Sequence, residues 1–146
     1  GFPHDVARRN GAALLVDEAH AIGVIGRSGE GACATAGIAG EPDVVQTVTL
    51  SKALGSQGGA VVASRQVCDH LVDTARTFIF DTGLAPAAVG AAWAALRVLI
   101  DEPWRAHAVL DHAAALAEMC GVSELPDSAV VSVILGEPPP PIKGVQ

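Results

Sequence analysis

The chain is short of cysteine, short of positive charge and without a long apolar run. Its three cysteines, Cys33, Cys68 and Cys120, are widely spaced in 146 residues. No Cys-x-x-Cys pair occurs, and an odd count closes no disulfide framework. A reducing compartment is therefore expected, and a cytoplasmic location with it. Lysine and arginine number 9 against 16 aspartates and glutamates, a formal net charge of −7. Nucleic-acid binders draw most of their affinity from cations laid on phosphates, so no nucleic-acid partner is expected. The most apolar stretch runs from Leu84 to Leu96 and ends at Arg97. It is well short of the roughly 20 residues that span a bilayer, which predicts a buried helix and no membrane partner. Gly1 to Asp5 lacks the basic-then-apolar order of a secretory leader.

The opening residue is not methionine, and Met119 is the sole methionine. The first residues read as the middle of a helix. The end, Pro138 to Pro141 followed by Ile142-Lys143-Gly144-Val145-Gln146, follows an unpaired strand. Consecutive prolines cannot continue a ladder and favour an extended polyproline conformation. The expectation is a chain incomplete at both ends, with residues 138–146 a disordered tail.

Half of the residues are hydrophobic and 17% are charged, enough to bury a core and too apolar for a disordered segment. Ala12 to Val16 is a continuous apolar run, which suits a strand buried on both faces. Glycines 23, 26, 29 and 31 then punctuate a loop and serve tight turns rather than chemistry. Residues 43–50 and 58–63 read as second and third strands. Helices are expected from Ser64 to about Ala75, from about Pro86 to Leu99, and from about Trp104 to Met119. The last is announced by Asp101-Glu102-Pro103, acid and proline being suited to a first turn. Ser128 to Leu135 is a further predicted strand. Alternating strands and helices imply an α/β architecture with a mostly parallel sheet.

Chemistry concentrates in two runs, Leu14-Leu15-Val16-Asp17-Glu18-Ala19-His20 and Thr49-Leu50-Ser51-Lys52-Ala53-Leu54-Gly55. Asp17 leaves the end of one strand and Lys52 follows the end of the next. Ligands in open α/β sheets bind at the carboxyl ends of strands, so both side chains can face one crevice. No other charged residue lies between Gln46 and Ala63, so Lys52 is expected to be partly desolvated and available as nucleophile and base. The first run alone also suits a helicase or ATPase, where an acidic pair ending an apolar strand handles magnesium and water. Those enzymes also need Gly-x-x-x-x-Gly-Lys-Ser/Thr to cradle phosphates, and no such motif is present. His107 and His112 lie five apart and share no helical face as metal ligands would. Together with His4 and His70, each beside an aspartate, they read as solvated, and no metal site is expected. Trp93 and Trp104 read as core or interface anchors.

Taken together, Leu-Leu-Val-Asp-Glu-Ala-His, the glycine pattern over 23–31 and Thr-Leu-Ser-Lys-Ala-Leu-Gly resemble the α-oxoamine synthases. These are fold-type I pyridoxal phosphate enzymes of the aminotransferase superfamily. The resemblance runs from about Ala7 to Leu135. Within the family the chain looks most like the actinobacterial members that serve biotin synthesis, a match carried by residues 51–62 and 73–86. It implies roles by position. Asp17 would pair with the pyridine nitrogen and His20 would bond the phenolic oxygen. Lys52 would form the Schiff base and move the substrate α-proton. Thr49 would bind the phosphate, and Thr82 would reach it across a dimer interface. The implied reaction is a decarboxylative condensation of L-alanine with a pimeloyl thioester, on coenzyme A or acyl-carrier protein, by a homodimer. Serine palmitoyltransferase-like, aminolevulinate synthase-like or amino-ketobutyrate ligase-like specificity stays open.

The resemblance also implies an organisation. Residues 1–100 would belong to the cofactor-binding large domain, and 101–137 would be a linker helix and the first strand of a small α+β domain. The family's ring-stacking histidine, its glycine-rich phosphate segment and its carboxylate-binding arginine have no counterpart here. The chain by itself is thus expected to be inactive and to bind the cofactor weakly or not at all.

Overall fold

The computed structural model describes residues 3–124 and 126–136; the proline-rich tail expected at 138–146 lies outside the described residues. In chain order the elements are α1 (Pro3–Arg9), β1 (Leu14–Asp17), α2 (Ala32–Thr35), β2 (Val44–Thr49), β3 (Gly59–Val62), α3 (Arg65–Thr74), α4 (Arg76–Ile79), α5 (Pro86–Asp101) and α6 (Trp104–Met119).

The strands form one sheet in the order β1-β2-β3. β1 and β2 pair in parallel, Leu14 opposite Val44 through Asp17 opposite Thr47. β3 joins antiparallel, Gln46 opposite Val62 through Thr49 opposite Gly59. The parallel pair needs a long crossover, and residues 18–43 supply it through a turn, the glycine loop and α2. A short loop suffices for the antiparallel return, and Lys52 lies on it. Gly58 opens β3 with φ +99°, and a side chain there would run into Leu84 at 2.6 Å.

The helices start where their signals place them, but α5 is not the buried helix expected at 84–96: Ala92 is its one buried residue, and Val89, Trp93 and Ile100 are exposed, because no described element packs over that side. Pro86 occupies the first turn of α5, where its missing N–H costs nothing. α6 spans the expected residues and buries Ala106, Ala113 and Ala117, small side chains that allow close packing. α1 is tied to the start of β2 by side chains. Arg8 donates to Asp43 at 2.8 Å and to Glu41 at 2.6 Å, and His4 Nε2 lies 3.2 Å from Asp43. The Arg8 hydrogen bond holds the Asp43 carboxyl well below the usual carboxylate range, with His4 adding to it.

Three further expectations need correction. β1 is not buried on both faces: Leu15 is 68% exposed, because the face it shares with Asp17 is left uncovered by the described residues. His4 is buried rather than solvated, because its partner Asp43 comes from 39 residues away. Residues 128–135 form no strand. A lone extended segment has no neighbour to satisfy its backbone groups, so it stays irregular.

Candidate active site

Side chains alternate across a strand, and residues in register on paired strands share a face. Asp17 is opposite Thr47, and Thr49 stands two residues further along the same strand. Asp17, Thr47 and Thr49 therefore share one face, with Asp17 and Thr49 at the carboxyl ends of the two parallel strands. Asp17 is exposed, and its Oδ1 accepts the Ala19 N–H at 2.9 Å. That bond folds the chain back immediately after the strand and leaves Oδ2 for another donor.

The turn so formed carries His20 to the lysine. His20 Nε2 stands 2.9 Å from Lys52 Nζ. The two line a cavity of about 570 Å³ together with Ala19, Gly23, Ala53 and side chains from α5 and α6. The loop bearing Lys52 is fixed by the Gly55 N–H to the Lys52 carbonyl at 3.0 Å and the Ser56 N–H to the Leu50 carbonyl at 2.9 Å. Ser56 Oγ also donates to the Ala88 carbonyl at 2.6 Å, which anchors this loop on α5.

Lys52 is exposed, which corrects the expectation of a desolvated amine. Its apolar neighbour Leu54 is the residue that turns inward, and the lysine projects into the open cavity. Thr82 is exposed, and its N–H donates to Asp81 at 2.8 Å. Thr82, Asp17 and Thr49 do not line the cavity. The structure thus brings His20 and Lys52 together, sets Asp17 and Thr49 on one sheet face, and leaves Thr82 with no hydrogen bond to any of them among the described residues. No group of three or more His, Cys, Asp or Glu suited to a metal occurs among the described residues.

Glu18 has no role in the cofactor reading of the sequence and enters only as half of the acidic pair of the helicase or ATPase reading. Strand alternation sends it to the face opposite Asp17, where it is 1% exposed. Its Oε2 accepts the Ala32 N–H at 2.8 Å and its Oε1 the Cys33 N–H at 2.7 Å. The only signal was its place as the second acid after an apolar strand. Beside it, burial and then the Glu18 carboxylate push the Cys33 thiol up to about 12.

The family profile for aminotransferase class I and II matches residues 4–140. The chain belongs to that family. This decides between the two readings of residues 14–20 in favour of the aminotransferase one. Among curated relatives, the 8-amino-7-oxononanoate synthase of Mycobacterium sp. (strain KMS) is 70% identical over 135 residues, covering 92% of this chain and 35% of the relative. That of Mycolicibacterium gilvum (strain PYR-GCK) is 67% identical over 135 residues, 92% of this chain and 36% of the relative. Among solved structures, a serine palmitoyltransferase from S. paucimobilis with a bound PLP–myriocin aldimine superposes with TM-score 0.78 at 30% identity, covering 92% of this chain and 37% of that one. The 8-amino-7-oxononanoate synthase of Francisella tularensis gives 0.66 at 27% identity, covering 79% and 36%. These are fold-type I enzymes, and the chain has the same fold over the matched part. It spans about a third of the length of the curated relatives it matches. No described helix is long and apolar enough to cross a membrane.

Proposed function

We propose that this chain carries the cofactor-holding centre of a pyridoxal phosphate-dependent C-acyltransferase. The enzyme would condense L-alanine with a pimeloyl thioester, on coenzyme A or acyl-carrier protein, with loss of carbon dioxide, to give 8-amino-7-oxononanoate. The observation that carries the reading is the 2.9 Å contact between Lys52 and His20 in a chain 70% identical to a mycobacterial synthase of that name.

The residues fit the cofactor. It needs a reachable primary amine for its aldehyde, a carboxylate for its ring nitrogen and a donor for its phenolic oxygen. Lys52 is an exposed amine, Asp17 is an exposed carboxylate at a strand end, and His20 touches the lysine. When bound, the cofactor supplies an electron sink for the carbanion left on the amino acid. Asp17 would hold the proton on the ring nitrogen. His20 would orient the Lys52 amine and bond the phenolic oxygen. Lys52, freed by the incoming amino acid, would take the α-proton. Thr49 would bind the phosphate from the same sheet face as Asp17. Thr82, exposed and apart from the cavity, suits the phosphate site of a second subunit, as a homodimer would provide.

Residues 1–100 would form part of the large domain, and α6 would lead towards a smaller one. A cytoplasmic site of action accords with the cysteine usage. The test is a chimera in which this chain replaces the 135 residues it matches in the Mycobacterium sp. (strain KMS) synthase. We expect it to release carbon dioxide from L-alanine only with a pimeloyl thioester, and to lose this in Lys52→Ala. A folded chimera that uses serine or glycine with another acyl group would assign a different α-oxoamine synthase. One that acts on no amino acid would contradict the reading.

A further inference from the structure

We propose that Glu18 is a positioning residue: its buried carboxylate sets where His20 stands against Lys52, and Gly23 fixes the depth of that approach. The inference rests on Lys52 being the cofactor-bearing lysine.

Three observations carry it. First, Glu18 ties together the pieces that flank His20. Its N–H donates to the Thr47 carbonyl at 2.8 Å, which locks it to the end of β2. Its own carbonyl accepts the Ala21 and Ile22 N–H groups at 2.9 and 3.1 Å, which closes the turn around His20. Its two carboxylate oxygens hold the start of α2.

Second, the loop between that turn and α2 is pinned on itself. The Gly23 N–H donates to the Gly29 carbonyl at 2.8 Å and the Gly31 N–H to the Ile25 carbonyl at 2.9 Å. A pull at α2 is thus felt at the turn. Gly31 has φ +98°, and a side chain there would meet a Glu18 carboxylate oxygen at 2.9 Å. The same side chain would meet Ile22 Cδ1, on the turn, at 2.8 Å, so Gly31 lets the carboxylate and the turn pack side by side.

Third, Gly23 sits directly on the lysine segment. A Cβ at Gly23 would come 2.5 Å from the Ala53 Cβ, so only a glycine allows the turn to approach this closely. Ala53 follows Lys52, and that approach is what permits the 2.9 Å contact with His20.

Glu18 is no acid or base for the reaction. It is sealed from solvent, and both of its oxygens are occupied by backbone donors. Glu30 supplies the natural control. It clamps the outer side of the same loop through the Arg27 and Ser28 N–H groups at 3.2 and 2.6 Å, and it is exposed.

The test measures formation of the borohydride-reduced pyridoxal phosphate adduct on the Lys52 peptide of the chimera, by mass. Glu18→Gln replaces one acceptor by a donor and should slow adduct formation about tenfold. In a His20→Ala background the same change should matter by less than about twofold, because both act through one contact. Gly23→Ala should behave as Glu18→Gln does, and Glu30→Gln should have no effect. The absorption maximum of the lysine-bound cofactor should move in the same direction in Glu18→Gln and His20→Ala. Should Glu18→Gln not fold, Glu18→Asp, whose carboxylate is one methylene short, is read in the same way. The inference is overturned if Glu18→Gln lowers the melting temperature but leaves adduct formation unchanged, or if its effect multiplies with that of His20→Ala. A chimera that forms no Lys52 adduct without any substitution overturns the functional reading itself, and this inference with it.

Discussion

Replacing Glu18 by alanine should destabilise the chain by about 2 kcal/mol, and the figure follows from its contacts. Truncation removes the acceptor for two backbone donors, Ala32 and Cys33. Ala32 is exposed and can turn to water, whereas the Cys33 bond is buried. One orphaned buried N–H costs about 1–3 kcal/mol. Withdrawing the one packed methylene, Cγ, adds about 0.8 kcal/mol. Release from burying a carboxylate offsets part of this, which keeps the sum at about 2 rather than about 4 kcal/mol. Urea unfolding reads the difference, with Glu30→Gln as the exposed comparison, expected within about 0.5 kcal/mol of the parent. A loss below about 1 kcal/mol for Glu18→Ala would refute the argument, because the buried bond would then contribute no more than a surface contact. Equal losses for Glu18→Ala and Glu30→Gln would refute it too.

Three further outcomes concern titration and access. Burial pushes the Cys33 thiol up to about 12 from 9.0. At pH 8 a thiol reagent should therefore label Cys68 and Cys120 but spare Cys33 until the chain unfolds, and equal labelling of Cys33 and Cys120 would contradict its burial. A raised folded-state value stabilises the fold below the unfolded value, so this contribution should fade as the pH climbs from 9 towards about 12. Asp43 has the opposite sign. Its hydrogen bond from Arg8 lowers it from 3.8, so its contribution is present above that value and drains away as the pH falls below it. Unfolding curves of the parent and Asp43→Asn should converge in acid, and a gap independent of pH would show that the Arg8 bond contributes nothing.

The parts of the fold set by local chemistry were legible in the sequence. Pro86 and Glu102-Pro103 mark the helix starts before α5 and α6, and apolar β-branched residues mark β2. The parts set by distant partners were not. His4 looked solvated beside Asp5 because Asp43, 39 residues away, is invisible locally. Residues 128–135 have strand composition, but composition does not provide a neighbouring strand. The antiparallel entry of β3 depends on the loop that carries Lys52 and leaves no mark in the strand's own residues. At the site, Asp17, His20 and Lys52 stood out as residue types at strand ends. The lysine's exposure was misjudged because an uncharged stretch of sequence does not bury a side chain held on a loop. Glu18 was hidden by its neighbour: two acids in a row read as one signal until strand alternation sent them to opposite faces.

The central claim is that Lys52 is the lysine that carries the cofactor. The chain has two lysines, Lys52 and Lys143. After incubation of the chimera with pyridoxal phosphate and reduction with borohydride, peptide mass mapping should find the added mass on the Lys52 peptide and lose it in Lys52→Ala. Labelling that settles on Lys143 or elsewhere, or that persists in Lys52→Ala, would contradict the account.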